Sequence, residues 1–191
     1  MINTGTCAPD SPNLTTVFID ERPGVAQILS SIDISEVQQP VIVRGPGDAS
    51  GHRAAFLEYF PKALNLEAAG WSYHDGYTAG AKAAAMDSNL IFAPNEQFAA
   101  GLLHYFQELG TEISPRFQLF ALGGIGQNPI FPEKSAQLTT VVSPLLQAAQ
   151  IAVDLLISHL SGERELPKGV YQTLQTSAQL RETTIQLIRQ D

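Results

Sequence analysis

A single cysteine, Cys7, occurs in 191 residues, so neither an internal disulfide nor a thiolate metal cluster can form within the chain. Basic residues are scarce too: 11 Lys and Arg stand against 19 Asp and Glu, a formal net charge of −8. They form no cluster, whereas a nucleic-acid surface needs concentrated cations to replace the counterions of the phosphate backbone. Binding of DNA or RNA by this chain alone is therefore disfavoured. Long apolar runs are missing as well. The longest, around Leu145–Leu160, is interrupted by Gln147, Gln150 and Asp154, so no membrane span and no membrane partner are expected. The opening MINTGTCAPDSPN has no basic segment followed by an apolar one, which leaves no signal peptide and makes the cytoplasm the simplest compartment.

Catalytic and metal-binding patterns are also absent. The loop GPGDASG at 45–51 follows a strand-like segment, but it matches neither G-x-x-x-x-G-K-[ST] nor G-x-G-x-x-G and reads as a structural turn. Ser50, His74 and several aspartates lack a G-x-S-x-G elbow, and nothing orders a base against a nucleophile. No catalytic residue is assigned, and the chain is not expected to be an enzyme. His52, His74, His104 and His159 fall on different elements without an H-x-x-x-H pair, so no metal and no cofactor are expected. His104 and His159 read as solvated helix-face residues.

What the sequence does contain is alternation of strand and helix. Hydrophobic residues make up 44% of the chain and the mean hydropathy is zero, as in a soluble globular protein long enough to bury a core. The most informative stretch is Asn89–Gly124: an apolar strand, a turn with Asn95 and Glu96, an amphipathic helix and a second apolar strand. Phe98, Leu102, Tyr105, Phe106 and Leu109 recur at three- and four-residue spacing, and Gly110 stands where a left-handed cap is usual. Such a unit predicts two parallel strands joined by a helical crossover.

Around it the spacing predicts strands at Thr15–Ile19, Pro40–Arg44, Ala68–Tyr73 and Leu138–Val142. Helices are expected at Pro23–Ile32, Gly51–Leu64, His74–Met86 and Ser143–Leu160, the last capped by Ser143 with Pro144 in its first turn. Val170–Arg181 reads as extended. The class is α/β with a mostly parallel sheet flanked by helices. A change of pattern near Gly126–Gln137 predicts part of a second lobe.

Ligands of parallel α/β folds collect where strands end and helices begin, which makes Asn95 and Glu96 candidates. Trp71, the only tryptophan, is placed at a strand end, where it is equally readable as core or as an aromatic face for a ligand. Arg53 opens a helix, where a cation opposes the helix dipole, and is either exposed or kept for a ligand.

Taken in order, these segments resemble the effector-binding region of the LacI/GalR family of bacterial transcriptional regulators, from about Met1 to Thr184. MINTG resembles a strand at the end of the family's first lobe. VFIDERPGVAQIL is similar to its V-x-D-N-x-x-G-x-x-x-A segment, VIVRGPGDASGHRAAF to the segment bearing an effector-binding Arg, and WSYHDGYTAG to its S-G-Y helix start. IFAPNEQFAAGLLHYFQELG through LFALG resembles the F-x-x-N-D block. LTTVVSPLLQAAQIAVDLL and QLRETT resemble the closing segments.

The resemblance implies a periplasmic-binding-protein-like fold and an effector site. Arg53 would grip hydroxyls or a carboxylate, Trp71 would pack on the flat face of the effector, and Asn95 would hydrogen-bond a polar edge. Asn3 would contribute from the other lobe. Two departures, Ile125 where the family has an Asp and the pair Asn95-Glu96 for Asn-Asp, imply an effector unlike a polyhydroxyl sugar held in the usual way.

The implied organisation is a remnant of the N-terminal lobe at 1–14 and 127–161, an effector-binding lobe at 15–126 and 162–185, and a tail at 186–191. By the same resemblance the chain lacks a helix-turn-helix headpiece and most of the N-terminal lobe. The expected function is sensing of a small-molecule effector, a sugar or related metabolite, by a homodimer that reaches operator DNA only through that headpiece. A periplasmic-type solute-binding protein is the alternative.

Overall fold

The computed structural model of this chain describes residues 2–5, 14–46, 51–111, 117–123 and 137–184, with the backbone alone at 3–5, 51 and 52. Two sheets organise it. The smaller holds β1 (Ile2–Gly5), β2 (Thr15–Asp20) and β8 (Gly169–Gln175), all parallel, with β2 in the middle. The larger runs β4 (Leu64–Glu67), β3 (Val41–Arg44), β5 (Leu90–Ala93), β6 (Gln118–Gly123), β7 (Thr139–Val142), β9 (Ser177–Gln179). Its strands are parallel except β9, which pairs antiparallel with β7. The fold is thus α/β, mostly parallel and flanked by helices.

Helices cover both faces of the larger sheet. Helices α1 (Arg22–Leu29) and α2 (Gly51–Tyr59) pack with Ile42, Phe92 and Phe120 on one face. Helices α3 (Tyr73–Ala84) and α4 (Glu96–Glu108) pack with Val43, Ile91 and Leu119 on the other. Burial on both faces explains why LIFA in β5 and LFAL in β6 are continuous apolar runs rather than alternating ones. The crossover predicted over Asn89–Gly124 is present, with β5 and β6 parallel and Gly110 at φ +70°.

Glycine brings α3 and α4 into backbone contact. A Cβ on Gly101 would lie 1.9 Å from the carbonyl oxygen of Tyr73, and one on Gly76 would lie 2.0 Å from that of Phe98. No side-chain adjustment relieves either clash, since the obstacle is backbone.

Several boundaries differ from those expected. Helix α2 ends at Tyr59 rather than Leu64, because Pro61 disfavours helical backbone in the residue before it. The third strand is accordingly Leu64–Glu67, not Ala68–Tyr73. At this sheet edge only Leu66 is buried. The helix expected from Ser143 is α5 (Leu145–Leu160), and its cap position is Pro144, not Ser143; no side-chain cap bond forms there. The extended segment after Val170 is two strands in different sheets, parted at Thr176.

Strand membership also departs from the expected lobes. Strand β2, assigned to 15–126, and β8, assigned to 162–185, both lie in the smaller sheet. Strand β7, assigned to 127–161, extends the larger sheet by pairing Phe120–Gly123 with Thr139–Val142. A short β-branched run fits either sheet, and only the neighbour it meets decides. Helix α5 does pack on the smaller sheet, through Ala148 and Leu155 against Val17, Ile19 and Leu174. The segments 126–136 and 186–191 lie outside the described residues.

The outward face of α5 is apolar. Leu146 is 75% and Leu160 76% exposed, with Val153 and Ile157 on the same stripe. Gly101→Ala is expected to destabilise the protein by about 1–3 kcal/mol through overpacking. Leu146→Glu should stay within about 0.5 kcal/mol of the parent. Urea denaturation followed by circular dichroism measures both.

Candidate functional site

The C-terminal ends of the parallel strands meet at one rim of the larger sheet. There β3 ends in Arg44-Gly45, β5 leads into Asn95-Glu96, and β6 ends at Gly123. Trp71 stands in the turn between β4 and α3, not on a strand, and is half-buried. Its ring covers Gly45: a Cβ there would lie 2.6 Å from Trp71 Cη2. Glycine at 45 therefore admits the outer edge of the indole against the end of β3.

That turn is held from three directions. Ser72 and Asp75 form a reciprocal capping box. The Ser72 hydroxyl and amide donate to Asp75 Oδ2 at 2.6 and 2.9 Å, and the Asp75 amide donates to Ser72 Oγ at 3.2 Å. Asn95 caps α4, its Oδ1 accepting from the Phe98 amide at 2.8 Å. Its Nδ2 donates to the carbonyl of Trp71 at 3.0 Å, so the two candidates are in direct contact. One amide hydrogen and one lone pair of Asn95 take no part in these two bonds.

Tyr73, the first residue of α3, is hydrogen-bonded through its hydroxyl to His104 Nδ1 on α4. His104 Nε2 lies 3.2 Å from Glu108 Oε1, and the Tyr77 hydroxyl donates to Glu108 Oε2 at 2.6 Å. A single neutral tautomer of His104 serves both contacts, accepting at Nδ1 and donating at Nε2. His104 therefore bridges the two helices while its side chain stays 37% exposed, on the helix face expected. His159 sits with Nδ1 3.2 Å from the carbonyl of Arg164.

Glu96 is buried, 6% exposed, in the first turn of α4, where the dipole favours a carboxylate. Its side chain lies over Gly123; a Cβ there would lie 2.4 Å from Oε1. Arg53 lies in the first turn of α2, on the opposite face of the larger sheet, and its Nε is buried with no hydrogen-bond partner. Asn3 lies on β1 of the smaller sheet beside Thr16 in the register; its side chain, like Ile125 and loop residues 47–50, lies outside the described residues. Sequence reasoning overlooked the Ser72–Asp75 box, although the S-x-x-D spacing announces it. It overlooked Arg44 as well, whose Nε is also buried and unpartnered. Among the described residues no group of three or more His, Cys, Asp or Glu could hold a metal ion, and no helix is long and apolar enough to cross a membrane.

Two carboxylates, Asp75 and Asp20, are held in their charged form. Hydrogen bonds from the Ser72 side chain and backbone lower the pKa of Asp75 below its usual 3.8. The Arg22 guanidinium, bonded to Asp20 at 2.8 Å through both Nε and Nη2, does the same there. A folded-state pKa below the unfolded one adds stability above the unfolded value, lost as pH falls through the folded one. The melting temperature is thus expected to be level near neutrality and to drop on acidification below 3.8, with a smaller drop in Asp75→Asn, as scanning calorimetry across pH would record. At neutral pH, Asn95→Ala should lower stability by about 1 kcal/mol as a lost cap.

A family model, described as a periplasmic binding protein-like domain, matches residues 43–184. Among solved structures, the LacI family transcriptional regulator from Enterococcus faecalis V583 with bound ribose is similar, with a TM-score of 0.76 and 22% identity over 97% of this chain and 68% of that one. An uncharacterized protein from Actinobacillus succinogenes gives a TM-score of 0.78 at 21% identity, over 96% of this chain and 69% of the other. A dimeric Lac repressor gives 0.74 at 18% identity, over 96% and 68%. At these identities the likeness is one of fold. No curated protein matches the chain.

Proposed function

Because this chain belongs to the periplasmic binding protein-like domain family, we propose that it is the effector-sensing region of a LacI/GalR-type transcriptional regulator. Its ligand, a sugar or related metabolite, would bind in a cleft between the two lobes, against the strand-end rim of the larger sheet. One observation carries the reading: Trp71 is fixed at the strand-end rim by Gly45 beneath it and by the Asn95 bond to its own carbonyl. A sugar ring presents an apolar face and polar edges, and an immobilised indole beside partly satisfied polar groups matches both. The similar regulator from E. faecalis carries ribose, which supports a sugar-sized ligand.

Sensing would work by population shift. A ligand that touches both walls of the cleft favours the closed arrangement, and only its differential affinity for the two arrangements moves the equilibrium. In a dimer, closure would change the spacing of two DNA-reading headpieces carried elsewhere in the full regulator. Asn95 and Trp71 act on the ligand from the larger sheet, and Asn3 from the smaller one.

The test is a thermal melt of the chain with ribose, glucose, cellobiose, their phosphorylated or acid forms, and nucleosides. A ligand at a hundredfold excess over its Kd adds about 2.7 kcal/mol to the folded state, and Trp71→Ala should abolish that shift while still melting cooperatively. A cooperative melt that none of these compounds moves would sink the proposal.

A further inference from the structure

The smaller sheet carries a hollow of about 170 Å³ along the seam between α5 and β8. It lies apart from the strand-end rim, toward the start of β8, whereas Thr176 follows the end of that strand. Five residues separate Tyr171 from Thr176, about 16 Å of extended chain.

Three local features build the hollow. On α5, Ile151, Asp154, Leu155 and Ser158 line it, a spacing that puts all four on one helix face. On β8, Tyr171 and Gln172 both line it, although consecutive strand residues ordinarily point to opposite faces. A bulge explains this. Thr16 pairs with Val170 and Val17 with Gln172, which leaves Tyr171 as the extra residue and re-aims it. The third feature is Arg164, in the turn between α5 and β8. Its Nη1 donates to the Tyr171 hydroxyl at 3.0 Å, and its guanidinium carbon stands 5.6 Å from the centre of that ring. The guanidinium is thereby aimed, while Nε and Nη2 make no hydrogen bond among the described residues.

Charge decides what the hollow can hold. Asp154 and Arg164 line the same space without forming an ion pair, and Asp154 makes no hydrogen bond among the described residues. A guest bearing only an anionic group would meet Asp154, with Glu163 and Glu165 flanking Arg164 in the sequence. A guest bearing only a cation would meet Arg164. A zwitterion satisfies both poles and carries no net charge. Leu155 is buried and Ile151 half-buried, so the floor suits a short carbon frame, and Ser158 and Gln172 add neutral hydrogen-bonding groups. Size sets the limit: the hollow is smaller than the pockets of drug-sized ligands and equals about six water volumes.

We propose that this hollow is a second ligand site, for a small zwitterion of the amino-acid class, with its ammonium on Asp154 and its carboxylate on the Arg164 fork. A guanidinium fork receives a carboxylate in two parallel bonds. Tyr171 is a positioning residue that holds that fork over the hollow. The site goes beyond the effector reading and stands apart from it, since none of these residues belongs to the rim. A guest here touches α5, the turn and β8 together, and so fastens the helix to its sheet.

Amide-resolved NMR titration of the intact chain tests this with glycine, alanine, β-alanine and γ-aminobutyrate. Ethylamine and propionate are single-charge controls, and ribose is the control for the rim. At least one zwitterion should shift the amides of 151–158, 164 and 171–172 saturably at millimolar concentration, about fivefold more tightly than either single-charge control. Asp154→Asn and Arg164→Gln should each weaken it by about threefold or more. Tyr171→Phe, which keeps the ring and loses the bond to Arg164, should weaken it by about twofold. All three side chains are exposed, so these variants should melt like the parent. Ethylamine or propionate bound as tightly as the zwitterions would overturn the inference, as would shifts confined to the rim. An unchanged affinity in Asp154→Asn or Arg164→Gln would do the same. No saturable shift with any of the four zwitterions would mean that the hollow holds only water, and would overturn this inference while leaving effector sensing standing.

Discussion

Everything in this molecule depends on a waist at Gly24, where the segments linking the two sheets press against one another. A Cβ on Gly24 would lie 2.6 Å from Val141 Cγ1 and 2.8 Å from Thr176 Oγ1. The Gly24 amide donates to that hydroxyl at 3.1 Å. Thr176 in turn donates its hydroxyl and its amide to the carbonyl of Asp20, at 2.9 and 3.1 Å. Asp20 ends β2, Thr176 parts β8 from β9, and Val141 lies in β7, just before the chain turns toward α5. Only a residue without a side chain lets these strands converge, and only a buried hydroxyl satisfies the backbone groups the sheet ladders leave open. The segments that pass between the sheets meet here at the ends of β2 and β8 and beside β7, and a few such element-terminal residues are where hinges absorb a change in backbone angle.

The site needs the opposite property, and its aromatic wall has it. Trp71 sits in a turn, where an indole would ordinarily be free to swing. Here the capping box of α3, the Asn95 bond across to α4 and the Tyr73–His104 bridge fix the turn from both ends. The backbone contact of α3 with α4 at Gly76 and Gly101 makes those two helices one slab. In the proposed site, a wall already rigid would spare the ordering entropy that binding a ligand otherwise costs. Asn95 therefore acts twice: it starts a helix, and it sets the height of the tryptophan.

The stretch Asn89–Gly124 was legible because every local signal agreed. The apolar runs, the 3.6-residue stripe, Asn95 at the turn and Gly110 after the helix each named the same crossover. Trp71 was legible as a candidate but not in its setting, since Pro61 moves the third strand upstream and leaves the indole in the turn after it. The membership of β2, β7 and β8 was hidden for a different reason. Strands β2 and β7 are β-branched runs and β8 is a mixed polar one, each able to pair in either sheet, and pairing over a long sequence separation leaves no local mark. The break at Thr176 is equally silent: YQTLQTSAQL alternates straight through it, with no Gly or Pro. The state of Arg44 and Arg53 could not be read at all, because an unmet hydrogen bond is a fact of the tertiary surroundings.

The two sheets differ in how firmly they are held, and the difference bears on what a ligand can do. Helix α4 buries eight of its 13 residues against the larger sheet, whereas α5 buries two of its 16 against the smaller one. Leu146, Val153, Ile157 and Leu160 line the far side of α5, so this helix is apolar on both faces, as in helices packed between two layers. Among the described residues the core between α5 and the smaller sheet is small, formed by Val17, Ile19, Ala148, Leu155 and Leu174. Regions with few buried apolar contacts open first. A ligand bridging from Trp71 to that sheet would add contacts where the fold has fewest, so closure would bias the equilibrium strongly even for a small molecule.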